Sequence, residues 1–174
     1  MRHATILPVL FLAACSFPRF AASKTVEFTV PVADLQRLQC ETHNGGITIT
    51  GKADATEITV RAELSVRGHT QAEADANLLL LEVGNDKDNG TLKLYGKYPR
   101  QQLNNRSPSF AFTMTVPARF GTDLESHNGD LKVTGLTGPL KSTTHNGDVA
   151  VTGGHAKDRK STRLNSSHSS VSRM

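Results

Sequence analysis

Apolar and polar residues alternate with period two along most of this chain. In VEFTVPV (26–32), Val26, Phe28, Val30 and Val32 share one face. In EITVRAELSVRG (57–68), Ile58, Val60, Ala62, Leu64 and Val66 fall on one face and Thr59, Arg61, Glu63, Ser65 and Arg67 on the other. TLKLY (91–95) and FAFTMTVP (110–117) repeat the pattern. Because successive side chains of a strand point to opposite faces, this alternation predicts half-buried β-strands. Asn, Gly and Pro clusters punctuate them, and the polar stretch RQQLNNRSPS (100–109) reads as a loop. One segment breaks the rhythm. Thr70-Gln71-Ala72-Glu73 has capping-box spacing and good helix formers follow, which predicts one short helix over 70–79. LLLEV (79–83) is then expected to run on as a buried strand.

A phrase recurs within this β pattern. HNGD-x-x-V-T-G occurs at 127–135 and again at 145–153, eighteen residues later, and ETHNGGITITG (41–51) is an earlier version. The eighteen-residue offset pairs Leu124 with Ser142, Ser126 with Thr144, Leu131 with Val149 and Val133 with Val151. An eighty-four-residue offset adds Cys40, Thr42, Ile47 and Ile49 to the same columns. Inward positions are even before each Asn-Gly and odd after it. A tight turn with an extra residue explains the switch, and Asn44-Gly45, Asn128-Gly129 and Asn146-Gly147 are its expected structural turns, with a left-handed backbone. Near-identical side chains recurring in register favour stacked coils. The expected fold is therefore all-β, a single-domain β-solenoid-like stack of Asn-Gly-turn coils. The alternative is an antiparallel β-sandwich in which each Asn-Gly closes a hairpin.

The two ends read differently from the middle. Residues 1–14 carry a basic start (Arg2, His3) and an apolar run too short to span a bilayer, as in a signal peptide. The run ends in Leu12-Ala13-Ala14-Cys15, which resembles the bacterial lipobox, so Cys15 is the expected lipidation site and its lipid the expected link to a membrane. An ordinary secretory signal with Cys15 as a passenger is the alternative. Residues 15–25 read as a tether and 26–157 as the domain. Asp158 to His168, DRKSTRLNSSH, is residue for residue the translation of a common short-read sequencing adapter, so 158–174 are expected to be an artefact and the domain to be truncated.

This division changes the charge argument. The whole chain has 20 Lys+Arg against 16 Asp+Glu. Without Arg2 and the tail's Arg159, Lys160, Arg163, Arg173 and Asp158, 15 basic residues face 15 acidic ones. A neutral domain with no Trp and two Tyr offers neither the basic surface nor the aromatic platforms that nucleic-acid binding needs. With Cys15 lipidated, Cys40 is left unpaired, and its inward column makes it a buried, inert thiol.

The T-x-N-G-x-I-x-V-x-G units, preceded by an alternating strand that ends in Val116-Pro117, resemble a bacterial adhesin-like domain of unknown function. Thr42 to Gly51, Met114 to Pro117, Glu125 to Gly138 and Thr144 to Gly153 carry the resemblance, which covers roughly 25–155. It implies an exported, β-solenoid-like scaffold with no established catalytic residues or cofactors.

The repeat itself carries the residues with the most chemical potential. His127 and His145 would stack one coil apart with Asp130 and Asp148 across the turn, a candidate site for zinc or copper. His43 holds the same motif position. Asp130 and Asp148 also have the spacing of a paired-carboxylate site for glycoside cleavage, but aspartates after Asn-Gly are more often structural. No nucleophile motif or P-loop occurs. The expectation is a non-enzymatic cell-envelope lipoprotein, in the outer membrane and facing the periplasm or the surface, that meets an unknown envelope or surface partner. An envelope-stress or ligand-sensing module and a periplasmic metal-binding protein are the alternatives.

Overall fold

The computed structural model describes residues 20–103 and 107–153. Cys15, the rest of the leader and the 158–174 tail lie outside them. In chain order the elements are β1 (Phe20–Pro31), β2 (Arg37–Asn44), β3 (Ile47–Lys52), β4 (Glu57–Gly68), α1 (Gln71–Leu79), β5 (Glu82–Asp88), β6 (Thr91–Lys97), β7 (Ser109–Pro117), β8 (Gly121–Asn128), β9 (Leu131–Thr134), β10 (Leu140–Asn146) and β11 (Val149–Thr152). Among the described residues the fold is all-β with one short helix, as the alternation and the capping-box spacing predict.

The strands form two mixed sheets. One has six strands in the order β1-β4-β7-β3-β9-β11, the other five in the order β10-β8-β2-β6-β5. Their inward faces share one core, from Leu38 and Cys40 of β2 and Leu124 of β8 to Ile49, Ile58, Phe112 and Val133 of the facing sheet. Each fully buried aliphatic or Phe side chain contributes roughly 1.5–3 kcal/mol. Period two puts them there. In β4 the buried set is Ile58, Val60, Ala62, Leu64 and Val66, the face expected from sequence.

The Asn-Gly units are corners rather than hairpins. At each one the chain leaves the five-stranded sheet and enters the six-stranded one, so β2 leads to β3, β8 to β9 and β10 to β11. Like strands then pair in parallel. Cys40 lies opposite Leu124 and Ile47 opposite Leu131, while Ser142 lies opposite Leu124 and Val149 opposite Leu131. Both offsets read from the sequence are therefore the register of the fold. The hairpin alternative does not describe these units. A fourth level, β6 with β7, stacks on the other side of β2 and β3. The levels thus run β6/β7, β2/β3, β8/β9, β10/β11, and β2/β3 sits between strands that come much later in the chain. Antiparallel β4, β1 and β5 close the β6/β7 end, and α1 packs on β1 and β4.

Three expectations shift. Residues 20–25, read as tether, belong to β1, because β4 is twelve residues long and templates its partner from Phe20↔Gly68 to Pro31↔Glu57. LLLEV is not a strand. Leu79 ends the helix 79% exposed, Leu80 caps it, Leu81 alone is fully buried, and β5 starts at Glu82. The cap itself forms as spaced: the Thr70 hydroxyl accepts from the Glu73 N–H, while the Glu73 carboxylate accepts from the His69 N–H at 2.8 Å. The third shift concerns backbone conformation. Among the described non-glycine residues only Asn89 has a positive φ, +46°, beside Gly90 at +73°. That pair closes the β5–β6 hairpin between Asp88 and Thr91. Asn44, Asn128 and Asn146 are not left-handed, so the same dipeptide serves as a hairpin turn once and as a sheet-to-sheet corner three times.

Candidate functional site

The repeated phrase builds a spine of side chains along the corners, one residue of each kind per level. Asn128 donates from Nδ2 to Asn44 Oδ1 at 2.9 Å, and Asn146 donates to Asn128 Oδ1 at 2.8 Å. Asn44 ends the row by donating to the Pro108 carbonyl at 3.2 Å. Two residues earlier a hydroxyl column runs inside. Thr42 donates to the Phe110 carbonyl at 2.9 Å, Ser126 to the Gly45 carbonyl at 3.2 Å and Thr144 to the Gly129 carbonyl at 2.9 Å. Hydroxyls in an inward column are thereby satisfied, and no buried side-chain polar atom lacks a partner among the described residues.

The glycines are required by that contact. A Cβ on Gly45 would lie 2.2 Å from the Phe110 oxygen, on Gly129 2.2 Å from the Gly45 oxygen, and on Gly147 2.3 Å from the Gly129 oxygen. The carbonyl that accepts the next level's hydroxyl thus occupies the space a side chain would fill. Gly45, at φ +124°, is also in a conformation closed to L side chains, whereas Gly147 at +157° is near extended and Gly129 has no positive φ. Close approach, not left-handedness, is what the three share.

Outside the corner stands a histidine column. His43 and His127 have ring centroids 4.7 Å apart and planes within 6°, and His127 and His145 are 4.7 Å apart within 4°. All three are exposed. Their spacing is simply the inter-strand distance, about 4.7–4.9 Å. Parallel rings aim their nitrogen lone pairs the same way instead of converging on one point. Among the described residues no group of three His, Cys, Asp or Glu side chains is arranged to hold a metal ion. Asp130 Oδ1 accepts the backbone N–H of Asp148 at 2.9 Å, which ties one level's carboxylate to the next level's backbone. The repeat therefore brings its polar residues together as structural ladders. A depression of about 460 Å³, lined by Pro31, Asp34, Leu35, Lys87, Asp88 and Gly90, lies away from the spine.

Cys40 sits at the centre of β2, fully buried, with its thiol pKa pushed far up first by desolvation and then by the Glu41 charge. Two results are expected. Native protein should label with maleimide only as fast as it opens globally. Stability should also decline above about pH 8.5, where the thiol of the unfolded chain ionises but the native thiol does not, by about 1.4 kcal/mol per pH unit. Urea melts of the wild type and Cys40→Ala at pH 8 and 10 check this. A decline of equal slope in the variant would remove the thiol as its cause.

The outer face of the six-stranded sheet carries an array that only its register discloses. Thr29, Thr59, Thr115, Thr50, Thr134 and Thr152 are successive partners across all six strands. Cross-strand threonine pairs are favourable in sheets, and the row gives that face a regular line of hydroxyl and methyl groups.

No family model matches the chain, and no curated protein matches it. Solved structures with partial likeness include a candidate cell adhesion protein from Clostridium sporogenes, 14% identical with a TM-score of 0.42 over 79% of this chain and 65% of that one. A candidate adhesin from Bacteroides fragilis is 17% identical with a TM-score of 0.37, covering 75% and 55% of the two chains. A candidate adhesin from Parabacteroides distasonis is 10% identical with a TM-score of 0.35, covering 76% and 63%. The chain spans less than two thirds of the length of each. Likeness at this level assigns no activity. No helix among the described residues is long and apolar enough to cross a membrane.

Proposed function

We propose that this chain is a non-enzymatic cell-envelope protein, exported and lipid-anchored, whose stacked levels form a β-solenoid-like scaffold that presents a binding or assembly surface. One observation carries the reading. The residues with the most chemical potential are committed to the neighbouring level: asparagine to asparagine, hydroxyl to glycine carbonyl, the Asp130 carboxylate to a backbone N–H. What remains for a partner is the regular surface around that spine, with its histidine and threonine rows. The lipobox-like Leu12-Ala13-Ala14-Cys15 and the adhesin-like repeat support the envelope part of the reading.

Thermal melts with and without zinc separate a scaffold from a metal site. Zinc should leave the midpoint unchanged, and His127→Ala and His145→Ala should each move stability by less than about 0.5 kcal/mol, as for exposed side chains that fill no cavity. A rise of several degrees with zinc, abolished by either alanine, would replace the scaffold with a metal-binding protein.

Anchoring has its own test. Mass spectrometry of the mature protein should find Cys15 as an acylated N-terminus, and an unmodified start at Phe17 or Ser23 would remove the anchor. Each buried CH₂ of an acyl chain contributes about 0.8 kcal/mol, so more than one chain makes attachment stable. Because β1 begins at Phe20, only residues 16–19 separate it from Cys15. They reach at most roughly 14 Å, so the domain would be held against the bilayer surface.

A further inference from the structure

Asn-Gly stands at 44–45, 89–90, 128–129 and 146–147, and this dipeptide has a chemistry of its own. The glycine backbone nitrogen can attack the asparagine side-chain carbonyl carbon. A five-membered succinimide forms as the Cγ–Nδ2 bond breaks. The glycine amide proton passes to solvent, and the leaving nitrogen takes one up and departs as ammonia. Water then opens the ring at either carbonyl, giving aspartate or, with the main chain rerouted through the side chain, isoaspartate. Glycine favours the attack because no side chain blocks the approach. Local sequence makes all four sites competent. Which of them reacts depends on whether nucleophile and carbonyl are free to meet.

The corners restrain both reacting groups. At Asn44 the amide donates to the Pro108 carbonyl, and the Gly45 N–H donates to the Asn128 carbonyl. At Asn128 the amide donates to Asn44 Oδ1, and the Gly129 N–H donates to the Asn146 carbonyl. The Asn146 amide is held by Asn128 Oδ1. Space is short as well, since a neighbouring carbonyl comes within 2.2 Å of where a Cβ on Gly45 or Gly129 would lie.

Asn89-Gly90 has none of this. Its asparagine is exposed, and among the described residues no hydrogen bond fixes the Asn89 amide and the Gly90 N–H donates to no carbonyl. A Cβ on Gly90 would meet a single atom within 4 Å, the Asp34 oxygen at 3.2 Å. Asn89 also sits at φ +46°, a sparsely populated region for a residue with a side chain, so little holds it there beyond the hairpin itself.

We propose that Asn89 is a site of spontaneous covalent modification in the folded protein. It cyclises through Gly90 and hydrolyses to aspartate and isoaspartate, while the ladder that joins the levels protects Asn44, Asn128 and Asn146. The change has two local effects. A new carboxylate joins Asp34 and Asp88 at the rim of the depression. Isoaspartate also adds a methylene to the main chain beside the Gly90 carbonyl, which accepts the N–H groups of Gln36 and Arg37 at 2.8 and 3.2 Å. Modification of the hairpin therefore reaches the start of β2.

The test incubates the whole protein at mildly alkaline pH, folded and in urea, and maps the asparagines by peptide mass spectrometry. Replacement of NH₂ by OH gives the mass gain, and labelling by an isoaspartyl methyltransferase identifies the rerouted product. In the folded protein Asn89 should react at least about tenfold faster than Asn44 or Asn128, because a corner must break its hydrogen bonds before the ring can close. In urea all four sites should react at similar rates, as expected of one dipeptide without a fold around it. Asn44 or Asn128 reacting as fast as Asn89 in the folded protein would overturn the proposal. So would a folded-state Asn89 slowed, relative to urea, as much as the corner sites are. The same order of rates in urea would also overturn it, since flanking sequence and not the ladder would then set the selectivity.

Discussion

Replacing Gly45 by valine is expected to destabilise the protein by about 2–6 kcal/mol, combining overpacking and backbone strain of roughly 1–3 kcal/mol each. Both terms apply at this position. The new Cβ would sit 2.2 Å from the Phe110 oxygen, and φ is +124°. Neither can relax cheaply, because Gly45 lies in a corner held from both sides. Its N–H donates to the Asn128 carbonyl, and its own oxygen accepts from Ser126. Gly147→Val meets the Gly129 oxygen at 2.3 Å, but its φ of +157° lies close to extended backbone. Overpacking alone then sets its cost, near 1–3 kcal/mol. Urea denaturation of the two variants measures both, as a fall in midpoint at constant slope. Equal costs would mean that the levels do not stack as tightly as the hydroxyl-to-carbonyl distances require. Domain stabilities are commonly 5–15 kcal/mol, so Gly45→Val should leave little margin at 37 °C.

Phe112→Ala should cost about 3–5 kcal/mol, the usual range for removing a buried phenylalanine. Phe112 is 1% exposed in β7, the strand that joins the two halves of the six-stranded sheet. On one side it lies opposite Ala62 of antiparallel β4, on the other opposite Ile47 of parallel β3. Its N–H donates to the Gly46 carbonyl at 2.9 Å, which places it beside the first Asn-Gly corner. A cavity here would loosen the seam between the antiparallel cap and the parallel levels, and collapse from either side would break a paired register. Thr113→Ala, one residue on and facing solvent, is the control and should change stability by under about 0.5 kcal/mol. A loss of 1 kcal/mol or less for Phe112→Ala would indicate that the two sheets do not share the core described here.

Much of the candidate site was legible in advance because its rules are local or repetitive. The columns Cys40–Leu124–Ser142 and Ile47–Leu131–Val149 came from offsets of eighty-four and eighteen residues and are the observed pairings. The stacked histidines followed from the same offsets. The asparagine ladder, the carbonyl partners of the Thr42–Ser126–Thr144 column and the six-threonine row were not legible, although all their residues stand in the repeated phrase or in alternating strands. The signal was present as like residues in one column. Asn-Gly signals a turn by its backbone preference, however, and the amide's reach to the next level depends on the stacking distance, which only the fold supplies.

What the sequence alone determined is the set of properties that depend on a few neighbouring residues or on exact repetition. These are which residues of β4 and β7 face the core, where α1 starts at Thr70, and which positions share a level. Period two decides the first, a side chain capping a backbone N–H the second, and identity of side chains the third. Only the tertiary structure decided the order of the levels, with β2/β3 inserted between β6/β7 and β8/β9. It also decided the extension of β1 back to Phe20, and that Asn89-Gly90 closes a hairpin while three other Asn-Gly pairs turn from sheet to sheet. Each of these outcomes is a choice among pairings that are locally equivalent. The choice is made by which arrangement buries the most apolar surface with every backbone group bonded, a sum taken over the whole molecule.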